Sequence, residues 1–294
     1  MKKRVVIFLL IIIIILISFV AIFSNRKKQE NDSQDNTENT EQTEEITEIT
    51  IYDIEEGYLK VPYNNMAKKN KYEWDTYLKN ENGFLKYEDN NYTTKLGIDV
   101  SEHQKNIDWS KVKDAGVEFA ILRLGYRGYG KSGNIVLDKD FEQNYKNATE
   151  EGIEIGVYFF SQAISSDEIQ EEAEFVLSHL QEKNITYPVV FDLEKIKDDE
   201  ARTDNLTEED ITKMTLQFCN IIKENNYNPS IYANAKTFTT KMKLELFNDY
   251  IKWYADYQEK PLYPYDFDIW QYTESGKIDG IEGNVDLDIC FIKK

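Results

Sequence analysis

The chain has 294 residues, with 35 Lys and Arg against 54 Asp and Glu, giving a formal net charge of −19. That balance argues against nucleic acid as a partner, because affinity for phosphates comes largely from Lys and Arg. An aromatic content of 13%, with 20 Tyr and 15 Phe, argues against a wholly disordered polyanion, and two Cys with two His supply neither a disulfide framework nor a His-rich metal site.

The charge is unevenly divided. Residues 1–28 carry six basic groups (Lys2, Lys3, Arg4, Arg26, Lys27, Lys28) and no acids, whereas residues 29–57 carry eleven acids and no bases. Between the two basic clusters, residues 5–23 form a run of 19 uncharged residues, nearly all Ile, Leu, Val or Phe. As a helix this run would be about 28 Å long, close to the hydrocarbon thickness of a bilayer, so it predicts a transmembrane anchor whose partner is lipid. A cleaved signal peptide is the alternative. Its apolar region usually spans about 7–15 residues before a small-residue cleavage site, but here Ser24-Asn25-Arg26-Lys27-Lys28 follows. Basic residues at both ends nearly cancel the positive-inside bias. A short tail inside, with the bulk of the chain exported, is the simpler topology.

Residues 29–50 are almost entirely Glu, Asp, Asn, Gln, Thr and Ser. Such a segment self-repels and cannot bury a core, which predicts a disordered acidic linker. Residues 51–95 contain Tyr52, Tyr58, Tyr63, Tyr72, Trp74, Tyr77, Phe84 and Tyr87 without a clear period. They read as an extension packed on the domain that follows, 96–294.

From Leu96 onward, short apolar runs alternate with helical patterns. The expected strands are 97–100, 119–124, 155–160, 188–193, 230–233, 251–255, 268–272 and 287–291. Helices are expected at 109–115, 140–151, 167–182, 207–225 and 235–247. Ser166 and Thr207, each followed by acidic residues, are helix-start signals, and Gly116 and Gly152 stand where helices should stop. The gaps at 256–267 and 273–286 hold Pro261, Pro264, Gly276, Gly280 and Gly283 and predict no helix. Alternation of strand and helix implies parallel βαβ units. The expected fold is therefore an α/β, modified TIM-like barrel of five β/α units followed by three strands. A doubly wound open sheet is the alternative, but no glycine-rich phosphate loop supports it.

In such a barrel the site lies at the C-terminal strand ends. The first strand ends in Asp99. The fourth runs Pro188-Val189-Val190-Phe191-Asp192-Leu193-Glu194, and residues two apart on a strand share a face. Asp192 and Glu194 thus project together with Val190, while Val189, Phe191 and Leu193 face the helices. Asp286 reaches the same mouth only if the last strand runs antiparallel. Paired, partly buried carboxylates keep a proton near neutral pH, which is what glycoside hydrolysis needs: one protonated acid and one ionised partner.

Several segments together resemble glycoside hydrolase family 25, the N-acetylmuramidase type of lysozyme. They are Leu96-Gly97-Ile98-Asp99-Val100-Ser101, Phe119-Ala120-Ile121-Leu122-Arg123-Leu124-Gly125-Tyr126, Gly156-Val157-Tyr158-Phe159-Phe160-Ser161-Gln162, the Asp192-x-Glu194 strand, Ile269-Trp270-Gln271-Tyr272 and Gly283-Asn284-Val285-Asp286-Leu287. The resemblance covers 96–294 and implies the same five-plus-three barrel. It implies Glu194 as the general acid, Asp192 as the group that orients or stabilises the substrate's 2-acetamido substituent, and Asp99 and Asp286 as the rest of the acidic cluster. It implies peptidoglycan glycan strands as substrate, outside the membrane, and neither cofactor nor metal. Asp288 departs from the pattern, standing where the family typically has Asn.

Tyr126, Tyr158, Tyr232, Tyr254 and Trp270 fall near strand ends, where aromatic faces suit sugar rings. Trp270 followed by Gln271 is the leading substrate-binding candidate; core packing is the competing reading for each aromatic. His103 is not needed as a base, because carboxylates supply that chemistry, and His179 is expected at the surface. Cys219 and Cys290 fall on nearly opposite sides of the barrel, which argues against a disulfide. A chitinase-like barrel also uses Asp-x-Glu but carries further aspartates upstream, where Tyr187 and Val190 stand here. A non-catalytic wall-binding module on a stalk is the remaining alternative, yet all four carboxylates are present. No protein partner is legible.

Overall fold

A computed structural model describes residues 47–197 and 199–294. The expected membrane span at 5–23, its basic flanks and the linker up to residue 46 lie outside the described residues. Among the described residues, no helix is long and apolar enough to cross a membrane.

Strands β1 (Glu48–Asp53) and β2 (Gly57–Pro62) pair antiparallel, with Tyr52 opposite Tyr58. The acidic linker expected through residue 50 is therefore too long by a few residues. Ile49 and Ile51 alternate with Glu48 and Thr50, so one face of β1 turns inward. A helical turn, α1 (Trp74–Tyr77), precedes a second hairpin of β3 (Leu78–Glu81) and β4 (Phe84–Tyr87). The aromatic rings of this region meet those of later strands: Tyr72 stacks on Phe291 with centroids 3.9 Å apart, and Trp74 lies parallel to Phe267 at 5.9 Å.

The next elements in chain order are β5 (Tyr92–Val100), α2 (Trp109–Asp114), β6 (Phe119–Arg127), β7 (Ile135–Leu137), α3 (Phe141–Glu150), β8 (Glu154–Phe160), α4 (Ser166–Leu180) and β9 (Val189–Asp192). They are followed by α5 (Glu208–Glu224), β10 (Pro229–Asn234), α6 (Ala235–Thr240), β11 (Ile251–Ala255), β12 (Ile269–Gly276) and β13 (Val285–Lys293). Parallel pairing runs from β5 through β6, β8, β9, β10 and β11 to β12. Strand β13 pairs antiparallel with both β12 and β5, which closes an eight-stranded barrel rather than leaving an open sheet. Five strand–helix units precede the last strands, and neither 256–267 nor 273–286 forms a helix.

The helix ends follow their local chemistry. Thr207 caps α5 reciprocally with Asp210, and Ser165, one residue before the expected Ser166, caps α4 by accepting from the Glu168 amide. The helix expected over 235–247 stops at Thr240, where Thr239 and Thr240 hydroxyls already bond back to carbonyls four residues earlier. A short 3-10 turn at Leu244–Phe247 takes its place. Strand β7 is a three-residue antiparallel addition to β6, too short to carry a readable period.

Two apolar layers separate. Ile98, Val157, Val189 and Phe191 face outward against the helices, while Phe119, Ile121, Val190, Trp253 and Ile269 fill the barrel interior. Phe119 stacks on Tyr187 at 4.4 Å, forming a plug beneath the mouth. Gly97 makes room for it, since a Cβ there would stand 2.1 Å from the Phe119 ring. Gly97→Ala is therefore expected to cost about 1–3 kcal/mol by overpacking, read as a melting temperature lowered by several degrees.

Candidate active site

Because alternate residues of each strand point into the barrel, the mouth can be built strand by strand. Asp99 comes from β5, Arg123 from β6, Tyr158 from β8, Asp192 from β9 with Glu194 just beyond it, Tyr232 from β10, Trp253 from β11, Gln271 from β12, and Asp286 and Asp288 from β13. They sit above the apolar plug, where charge is poorly solvated.

Three of the carboxyls form one group. The antiparallel register sets Asp286 directly opposite Asp99 and Asp288 opposite Gly97, so all three share the inner face. Directly opposed Cβ atoms in such a pair lie about 4.5–5.5 Å apart. Gln271 Nε2 donates to Asp99 Oδ2 at 2.8 Å, and Trp253 Nε1 donates to Asp288 Oδ1 at 2.7 Å. The Gln271 amide is itself oriented, its Oε1 accepting from the hydroxyls of Tyr232 at 2.9 Å and Tyr257 at 3.0 Å. Burial, then mutual repulsion, pushes Asp99 well above the ordinary carboxyl range; burial does the same to Asp288. Burial pushes Asp286 up to about 6.

Asp192 and Glu194 form the second group. The backbone oxygen of Glu194 accepts from Gln162 Nε2 at 2.9 Å, and Gln162 is steadied by the Thr203 hydroxyl, also at 2.9 Å. Burial pushes Glu194 up to about 7, opposed by its bond to Asp192. Burial and the nearby Glu194 raise Asp192, and the Arg123 guanidinium moderates that rise. Burial thus favours the protonated form of both carboxyls, and the two titrate as one unit. Arg123 is held by Asp138 at 2.8 Å and Glu102 at 3.3 Å and lies over the Tyr126 ring at 5.2 Å. His103 stands beside it, its Nε2 3.5 Å from Arg123 Nη1.

These shifts set a dependence of stability on pH. Every raised carboxyl contributes stability that is complete below about pH 4 and is lost as pH rises through its folded value, about 6 for Asp286 and about 7 for Glu194. Asp288→Asn keeps an acceptor for Trp253 and removes one buried acid. The variant is expected to be more stable than wild type at pH 7.5, by on the order of 1 kcal/mol, with the difference shrinking toward pH 4 in denaturant titrations.

Asp99, Asp192, Glu194, Asp286, Tyr126, Tyr158, Tyr232 and Gln271 thus meet at one end of the barrel. Trp270 does not. It is 0% exposed in the outer layer, its Nε1 donates to the Asp256 carbonyl at 2.7 Å, and its ring packs edge-on against Trp74. A strand cannot turn neighbours to the same face, so Gln271 inward places Trp270 outward. Tyr254 is likewise outward and buried, and Trp253 is the inward neighbour. Arg123, Gln162, Trp253 and Tyr257 were not among the expected site residues; alternation from Gly97 and Asp99 across the strand register is the signal that finds the first and third. Cys219 and Cys290 are both free and buried, Cys290 inside the barrel and Cys219 outside it.

The model of the family "Glycosyl hydrolases family 25" matches residues 98–281. The chain belongs to that family. As a family 25 member it is a glycoside hydrolase. Over 206 residues, 66% of this chain and 68% of the relative, it is 29% identical to the uncharacterized protein YegX of Escherichia coli (strain K12). Among solved structures, the bacterial lysozyme from Streptomyces coelicolor is similar with a TM-score of 0.57 and 27% identity, over 66% of this chain and 90% of that one. The modular autolysin LytC from Streptococcus pneumoniae shares the fold with a TM-score of 0.59 and 24% identity, over 79% of this chain. This family 25 chain spans only 56% of LytC.

Proposed function

We propose that this glycoside hydrolase is a peptidoglycan hydrolase of the lysozyme type, cleaving the β-1,4 bond between N-acetylmuramic acid and N-acetylglucosamine. The observation that carries the reading is the placement of Asp192 and Glu194, two carboxyls at the end of β9 that share the barrel mouth with Asp99 and Asp286. Glu194 protonates the glycosidic oxygen as the bond breaks. Asp192 holds or stabilises the 2-acetamido group, and Asp99 and Asp286 hold water or sugar, with Asp286 also favouring the proton on Glu194. Tyr126, Tyr158 and Tyr232 offer ring faces to the sugars, and Gln271 links the acidic cluster to the aromatic wall. Similarity to a protein named bacterial lysozyme supports the substrate class. Release of soluble fragments from purified peptidoglycan by the full chain, absent with Glu194→Gln, is the expected result; equal release by both, or by neither, contradicts it.

The insoluble substrate lies outside the membrane. Residues 5–23 accordingly anchor the chain, with the barrel exported, and protease treatment of intact cells is expected to remove the barrel and leave a membrane-bound N-terminal fragment. A freely secreted product lacking residues 1–28 contradicts anchoring and leaves the enzymatic reading intact.

A further inference from the structure

The family match begins at residue 98, yet a residue outside it lines a cavity that Glu194 also lines. Glu55, in the turn between β1 and β2, lines the same cavity as Glu194, Leu193, Ala233 and Asn234. The turn is built to stay there. Asp53 is fully buried; one of its oxygens accepts from the backbone amides of Glu55 and Glu56 at 3.0 Å each, and the other accepts from the Lys236 amide at 3.3 Å. Gly57, at φ +77°, closes the turn with a conformation that side chains disfavour. On one flank Lys236 bonds Glu56, and on the other Lys197 Nζ lies 3.2 Å from Glu55 Oε1.

We propose that this turn is a working part of the active site, in which Glu55 and Lys197 form an opposed pair of positioning residues that sets how firmly Glu194 holds its proton. The inference rests on the reading of Glu194 as the acid. Glu194 is acted on by Asp192 beside it, Asp286 from β13, Glu55 from the turn and Lys197 from the loop after β9, while Lys195, Asp204, Lys236 and Lys241 also line its cavity and Tyr232 and Tyr257 face it as neutral phenols. Glu55 repels the carboxylate and favours the proton, and Lys197 does the reverse. The two act in opposite directions, so removing either one shifts the site the other way. The Glu55 side chain is only 26% exposed but that of Lys197 is 66% exposed, so salt screens the effect.

The test uses the full-length chain at low ionic strength. Two readouts are taken: the pH profile of kcat/KM on soluble peptidoglycan fragments, and the titration of the Glu194 carboxyl by carbon-13 NMR, assigned with Glu194→Gln. Glu55→Gln is expected to move the alkaline limb and the NMR midpoint down by about half to one pH unit, a loss of about 3–10-fold at pH 8 with little change at pH 5.5. Lys197→Met is expected to move both upward by a similar amount, and Glu56→Gln to move neither. Shifts of the same sign for Glu55→Gln and Lys197→Met, or no shift in the NMR midpoint, overturn the proposal. Wild type that cleaves no peptidoglycan overturns the muramidase reading instead, and the NMR titration then still decides the role of the pair.

Discussion

Glu194→Gln is expected to leave the barrel folded and to lower kcat by about 10²- to 10⁴-fold, the usual contribution of a positioned general acid, with KM nearly unchanged. Glutamine fills the same space and keeps the backbone bond to Gln162, so the loss reports the missing proton rather than a missing shape. The wild-type profile carries the same signature. An acid must be protonated to act, and burial pushes Glu194 up to about 7, so activity should fall as pH rises through that value. Asp192→Asn should also impair kcat, and the double variant should be little worse than Glu194→Gln alone, because the two carboxyls act as one unit. Steady-state rates across pH 5–9, with circular dichroism as a folding control, check all three expectations.

The largest expected effect on stability comes from Arg127→Met. Arg127 Nε donates to Glu172 at 2.7 Å, and its other nitrogens donate to the Gly133 carbonyl at 2.8 Å and to the Glu168 carbonyl and the Glu171 carboxylate at 3.0 Å. Glu172 is fully buried on α4, bonded also by the Ser161 hydroxyl at 2.7 Å, and burial pushes it up to about 7 even with its partner in place. Removing the guanidinium strands a buried carboxylate, which costs about 3–5 kcal/mol when it must stay ionised. The raised folded value fixes the sign: the penalty is small near pH 4–5, where Glu172 is protonated, and grows as pH rises through neutrality. Pairing Arg127→Met with Glu172→Gln should recover much of the loss at pH 8. Urea unfolding of the single and double variants at pH 5 and pH 8 reads the outcome. A pH-independent loss points to lost packing of the loop at Gly133 instead.

The barrel could be read from sequence because its parallel strands are buried on both faces and announce themselves as short apolar runs between capped helices. Glycines and prolines at 256–267 and 273–286 likewise announced the missing helices. The cluster of Asp99, Asp192, Glu194 and Asp286 was legible for a related reason: each acid stands at an end of such a run, and strand register brings those ends to one mouth. The aromatic residues were harder, since Tyr and Trp serve core and sugar equally well. The Trp270–Gln271 pair shows the limit, because period-2 alternation forbids both facing the mouth, and only Gln271 does. Trp253 was hidden by the same rule beside Tyr254. The turn carrying Glu55 was illegible for a different reason. It belongs to a segment without period, and its place in the cavity that Glu194 lines depends on a hydrogen bond that Asp53 accepts from the Lys236 amide, 183 positions away.

The chemical identity of the sugar ends that the full-length chain creates in purified peptidoglycan decides whether it is a muramidase. After digestion, the new reducing ends are converted to alditols with borohydride and identified by mass spectrometry. Muramitol is expected with wild type and not with Glu194→Gln. Glucosaminitol in its place, or release of peptides without any new alditol, contradicts the muramidase reading.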